Sequence, residues 1–258
     1  GPNGAAMGPD GRVYVCNNGG FTWTQQGPFL RPGDALAGDY TGGSIQVVDI
    51  ASGAVETLYT ECNGIPLKGP NDIVFDAGGG FYFTDLGKRR GRSIDRGAVY
   101  YARSDGSSIV EIVHPIDTPN GIGLSADEAT LYVAETSGAR IWAFDIEGPG
   151  KLRPGPHPFW PGRLLYKFTG YERLDSLAVD SEGNIVVATL GTGCVTAISP
   201  DGVLRAKVPV PEFDLMVTNV CFGGPGLQTA YVTSSGLGRL YAMPWHCPGL
   251  PLNFLPHR

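Results

Sequence analysis

Residues 70–85 read PNDIVFDAGGGFYFTD, and this stretch decides the fold. Ile73, Val74 and Phe75 form one short β-prone run and Phe81, Tyr82 and Phe83 another, with Asp76 and three glycines between them. Two such runs joined by a Gly-containing turn spell a β-hairpin. The same sentence recurs as PNGAAMGPDGRVYVCN (2–17), PNGIGLSADEATLYVAE (119–135), LDSLAVDSEGNIVVAT (174–189) and TNVCFGGPGLQTAYVTS (218–234). A fixed repeat of this kind marks a repeat architecture and is read before any single element.

After each hairpin comes a second strand pair opening on a small residue: GSIQVVDIASGAVETLY, GAVYYARSDGSSIVEIV, ARIWAFDI, GCVTAISPDGVLRAKV and GRLYAMPW. Each repeat thus supplies about four strands, and the markers Asn3, Asn71, Asn120, Asp175 and Asn219 recur at intervals near the roughly 40–50 residues of a propeller blade. The first interval is longer because residues 21–42, FTWTQQGPFLRPGDALAGDYTG, form an insert without periodicity, read equally as a lid or as a surface excursion. The expectation is an all-β propeller of four-stranded blades, five of them visible, in one domain over residues 1–258. The 39 glycines and 21 prolines are then turn punctuation, and no window sustains a helical period.

Composition narrows the function. A net charge of −6 argues against nucleic-acid or anionic-membrane partners, leaving a small-molecule substrate. Lys88, Arg89, Arg90 and Arg92 are the one basic cluster, read as a solvated loop in preference to a phosphate site. Five scattered cysteines favour reduced thiols in a cytoplasmic protein, and no apolar stretch approaches the roughly 18–20 residues of a membrane span.

In a radial array the marker residues converge at one channel end. Asn71, Asn120 and Asp175 then offer the oxygens that a hard divalent cation prefers, although Asn and Asp before a strand also serve as turn residues. There is no G-x-S-x-G elbow, so Ser176 is read as a local hydrogen-bonding residue. His114 is weighed as a proton shuttle against a plain loop histidine, and His157, His246 and His257 as structural or exposed. Trp23, in the insert, is placed to pack or to close over a ligand.

Four motifs in order, GPNDIVFDAGGGFYFTD, TPNGIGLSADEATLYVAET, LDSLAVDSEGNIVVATL and TNVCFGGPGLQTAYVTSSGLGRL, resemble the senescence-marker-protein/gluconolactonase family with its luciferin-regenerating-enzyme-like members, over essentially the whole chain. The resemblance implies a six-bladed propeller, one divalent metal at the channel mouth (Ca²⁺, in some members Zn²⁺, Mn²⁺ or Fe²⁺), and a hydrolase acting on sugar lactones. It implies Asn71, Asn120 and Asp175 as metal ligands, Asp175 also as the base that activates water, and Asp72 as a substrate-binding residue. Asn18 is expected to face the pocket too, against a plain turn before Gly19 and Gly20.

Two features depart from the family pattern. Gly69 stands where an Arg often precedes the first ligand, and the family's Glu ligand in an EGP-like motif has no counterpart. The first repeat looks like the family's second blade, so the chain is expected to begin about one blade late, with five blades closing alone or another segment substituting as alternatives. Asp85 and Glu135 are replacement carboxylates only if they turn toward the channel. These departures keep open a non-catalytic binding propeller, a related metal-dependent esterase, or a strictosidine-synthase-like condensation.

Overall fold

A computed structural model describes residues 1–33 and 35–255; His257 lies outside the described residues. Apart from one 3₁₀ turn at Pro225–Leu227, the described elements are strands. The first blade is built from Pro2–Met7, Val13–Asn17, Ser44–Val48 and Val55–Tyr59, and the second from Pro70–Phe75, Gly80–Asp85, Gly97–Arg103 and Ile109–Ile116. The third uses Pro119–Leu124, Thr130–Glu135, Arg140–Gly148 and Arg163–Lys167, and the fourth Arg173–Val179, Ile185–Leu190, Cys194–Ile198 and Leu204–Pro209. The fifth has three strands, Val217–Gly223, Thr229–Ser234 and Arg239–Pro244. All neighbours within a blade are antiparallel, as short hairpin turns require.

The core lies between blades. Tyr14 of the first blade meets Phe75 of the second edge-on at 5.0 Å, and Phe75 packs on Phe81 at 5.2 Å. Both faces of the second and third blades are covered, which is why Pro70–Phe75 and Pro119–Leu124 are buried at every residue instead of alternating. Polar groups caught there are paired: the Tyr101 hydroxyl donates to Asp76 at 2.9 Å.

The first strands of the blades pack on one another in chain order, from Pro2–Met7 to Val217–Gly223. The succession does not return: Val217–Gly223 makes no comparable contact with Pro2–Met7 among the described residues. The five blades therefore form an open arc, and the alternative in which they close on themselves is not what the structure adopts. Two segments bridge the arc. The insert carries a hairpin, Trp23–Gln26 with Phe29–Pro32, and the Leu30 N–H donates to the Gly236 carbonyl of the fifth blade at 3.1 Å. On the far face the C-terminal segment donates from Leu250 N–H to Val179 O at 2.9 Å and from Asn253 Nδ2 to Phe75 O at 3.0 Å, tying the fourth blade to the second.

Candidate functional site

In all five first strands the ladder slips at the marker. Pro70 pairs with Asp85 and Ile73 with Phe83, so Asn71 and Asp72 together face Thr84. The same two-against-one register places Asn3 and Gly4, Asn120 and Gly121, and Asp175 and Ser176 in bulges. A β-bulge lifts its residues out of the ladder and re-aims their side chains, and here the five bulges sit at one channel end. The fifth blade corrects the sequence alignment: Val217 pairs with Ser234 and Val220 with Val232, so Thr218 holds the marker position and Asn219 the next. Asn3 and Asn219 lie within strands and line the same cavity as the other markers.

That cavity, about 1090 Å³, brings together Asn71, Asp72, Asn120, Asp175, Ser176 and Asn18. Close backbone approach makes this convergence possible. A Cβ on Gly121 would lie 2.5 Å from Leu177 N and 2.7 Å from Asp175 O, and one on Gly4 would lie 2.6 Å from Asn71 O and from Asp72 Cα. Only glycine at these two places lets adjacent first strands touch. Across this close approach, Asp72 of the second blade accepts a hydrogen bond from Ser176 Oγ of the fourth at 2.6 Å. Ser176 is thus a partner of Asp72, in line with its reading as a local hydrogen-bonding residue.

Burial pushes the Asp72 carboxyl up to about 6 against the hydrogen bonds from Ser176 and Ile73, and burial plus the charge of Asp72 pushes Asp175 up to about 7 despite Asn120 beside it. Asn120 donates from Nδ2 to Thr136 Oγ1 at 3.1 Å, while its buried Oδ1 has no partner. An orphaned amide oxygen next to two crowded carboxyls is a donor set that could hold a hard cation. Because both carboxyls hold protons more tightly when folded than at the usual 3.8, the metal-free protein binds extra protons in its native state between about pH 4 and 7. Its stability is therefore expected to rise as pH falls through that window. Thermal unfolding in chelator should give a higher midpoint near pH 5 than near pH 8, and Asp175→Asn should flatten the dependence.

Several sequence readings resolve here. The insert takes the position a lid would, since Phe21, Trp23, Arg31, Leu36 and Asp39 line the cavity. Asn18 lines it too, and its Oδ1 accepts from Gly20 N–H at 2.8 Å, so it is both pocket-facing and a turn residue. Asp85 and Glu135 are committed elsewhere. Asp85 accepts N–H bonds from Lys68, Gly69 and Gly87, and Glu135 accepts from Asp117 N–H and from Arg140. His114 is exposed on the outermost strand of the second blade, away from the cavity. A second cluster, Asp180, His246 and Cys247, has ligand atoms within 4.8 Å of one another. It lies at the opposite end of the Asp175 strand, and Asp180 is already filled by N–H donors from Glu182, Asn184 and Trp245. All five cysteines are free, and no helix is long and apolar enough to cross a membrane.

Residues 1–236 match the family profile described as the SMP-30/gluconolactonase/LRE-like region. The chain belongs to this family. Among curated relatives, Lactonase drp35 of Staphylococcus aureus is 34% identical over 208 residues, covering 80% of this chain and 55% of that protein. The chain thus spans about half the length of the curated relatives it matches. A gluconolactonase from Xanthomonas campestris superposes with a TM-score of 0.70 at 26% identity, over 94% of this chain and 71% of the other. The calcium-binding protein regucalcin from Agrobacterium tumefaciens shares the fold, with a TM-score of 0.67 at 20% identity over 90% of this chain and 67% of its own. Family membership accounts for the shared propeller scaffold; the bulges and the two strand-contact glycines explain how this chain aims its markers into one cavity.

Proposed function

We propose that the protein is a metal-dependent hydrolase of lactones, acting on sugar lactones or related cyclic esters. The observation that carries the metal assignment is the unpartnered Asn120 Oδ1 beside Asp175 and Asp72 in one cavity. Family membership and the lactonases among the relatives support the reaction class.

Asn71, Asn120 and Asp175 would hold the cation, Ca²⁺ by the oxygen character of the set, with Zn²⁺, Mn²⁺ or Fe²⁺ as alternatives. When bound, it supplies Lewis-acid polarisation of the lactone carbonyl and acidifies a water. Asp175 accepts the proton of the attacking water as that water's oxygen bonds to the carbonyl carbon. The ring C–O bond then breaks, and the same proton passes to the departing ring oxygen, leaving a hydroxy acid. Asp72, which lines the cavity and is held by Ser176, would bind the substrate. Phe21 and Trp23 of the insert line the cavity and, closed over a substrate, would limit bulk water.

The test is hydrolysis of gluconolactone-type substrates after exhaustive chelation and after re-addition of Ca²⁺, Zn²⁺ or Mn²⁺. Activity is expected to fall at least about 100-fold without metal and to return with one of the ions. Undiminished turnover by protein that elemental analysis shows to be metal-free would overturn the metal assignment. No turnover of any lactone with any ion would favour the binding propeller.

A further inference from the structure

The basic cluster read from the sequence as a solvated loop is split by the fold. Arg90 is an exposed partner of Asp95, at 2.8 Å, whereas Lys88 is only 3% exposed and lines the cavity. Its ammonium donates to the Gly20 carbonyl at 2.8 Å and lies 4.1 Å from the centre of the Phe21 ring and 5.4 Å from that of Tyr40. No carboxylate among the described residues forms an ion pair with it. The nearest influence, Asp85, spends its oxygens on three backbone N–H groups.

A buried ammonium without a counter-charge is costly, and one carbonyl and two ring faces compensate it only in part. It carries three donors, more than these contacts use. The position also has a reason in the backbone. A Cβ at residue 69 would lie 2.7 Å from Gly87 O, too close to be accommodated, and 3.6 Å from Lys88 Cε, an ordinary packing distance. Gly69 thus lets the Gly87 carbonyl, one residue before Lys88, approach closely.

We infer that Lys88 is a specificity-determining residue that takes a carboxylate of the substrate at the lid side of the cavity, so that the preferred substrates are lactones bearing a free carboxylate. The assignment rests on the lactonase reading above. Arg31, Arg89 and Arg173 line the same cavity but are half-buried or exposed, so Lys88 is its buried basic side chain among the described residues. Burial lowers the lysine to about 8, which leaves it mostly protonated at neutral pH.

The experiment compares kcat/KM for a neutral aldonolactone and for a lactone with a free carboxylate, in the wild type, Lys88→Met and Lys88→Arg. In parallel, calorimetry measures binding of the open-chain hydroxy-dicarboxylate to each metal-loaded protein. Lys88→Met is expected to lower the preference for the carboxylated lactone about 10- to 100-fold, the range for losing a hydrogen bond to a charged group, and to weaken dicarboxylate binding alike. Lys88→Arg should restore part of both. Equal losses on both lactones, with a lowered melting temperature, would make Lys88 a clamp for the lid and overturn the inference. If no lactone is turned over, the calorimetric arm still decides. Dicarboxylate binding that Lys88→Met abolishes supports the anion site, and binding that it leaves unchanged overturns it.

Discussion

Asp175→Asn is expected to reduce lactone hydrolysis by about 10³-fold or more while the protein remains folded. Two functions are lost in one substitution. In the proposed mechanism the amide cannot accept the proton of the attacking water, and it removes the anionic oxygen from the proposed ligand set. Stability should move the other way. A carboxyl pushed up to about 7 by burial and by Asp72 carries an unfavourable charge at higher pH, so the neutral isostere relieves the metal-free protein. Steady-state kinetics with saturating metal and thermal unfolding in chelator read the two effects separately. Loss of activity together with loss of stability in the metal-free state would show that Asp175 is a structural residue and would remove the mechanism built on it.

Gly121→Ala is the second large effect, although glycine 121 has no functional group. A methyl there would stand 2.5 Å from Leu177 N and 2.7 Å from both Asp175 O and Ser176 C, all of them backbone atoms that cannot swing aside. The third and fourth blades must separate, which is expected to cost about 1–3 kcal/mol, the usual range for overpacking. The same displacement moves Asn120 relative to Asp175 and withdraws Ser176 from Asp72, and misplacement by about 1 Å costs roughly 10²-fold in rate. Denaturant unfolding and kcat/KM should therefore fall together, with metal affinity measured calorimetrically falling as well. A variant with wild-type kinetics would mean that the blades tolerate a wider spacing than the bulge geometry implies.

The fold was legible because strand-forming residues, turn glycines and marker residues repeat locally, and local chemistry is what a sequence displays. The pairings Phe75 with Phe81 and Ile73 with Phe83 follow from the hairpin in residues 70–85. The candidate ligands were legible for the same reason, since Asn71, Asn120 and Asp175 occupy one place in their repeats. The fifth marker was misaligned by one residue. Asn219 matched by residue type, while the hydrogen-bond register of Val217 and Val220 puts Thr218 there. Residue identity outvotes register when only letters are compared.

Other features had no local signal. Lys88 lay in a run of like charges, and nothing in that run distinguishes the buried member from Arg90; the difference comes from Gly20 and Phe21, more than sixty residues earlier in the chain. Asp72 and Ser176, 104 residues apart, meet only once the blades pack, where Gly121 lets the third and fourth come close. The place of the insert had no local signal either: its hairpin reaches Gly236 across the open side of the arc, and its residues line the cavity.

By itself, then, the sequence determined a propeller of repeated antiparallel blades and the residue types at the head of each one, since both are set by patterning within some tens of residues. Tertiary structure alone decided that five blades form an open arc, that bulges turn the markers into one cavity, and that a lysine without a counter-ion completes its wall. Those outcomes depend on close approaches between distant segments, where a missing Cβ or a single slip in register determines which side chains can meet.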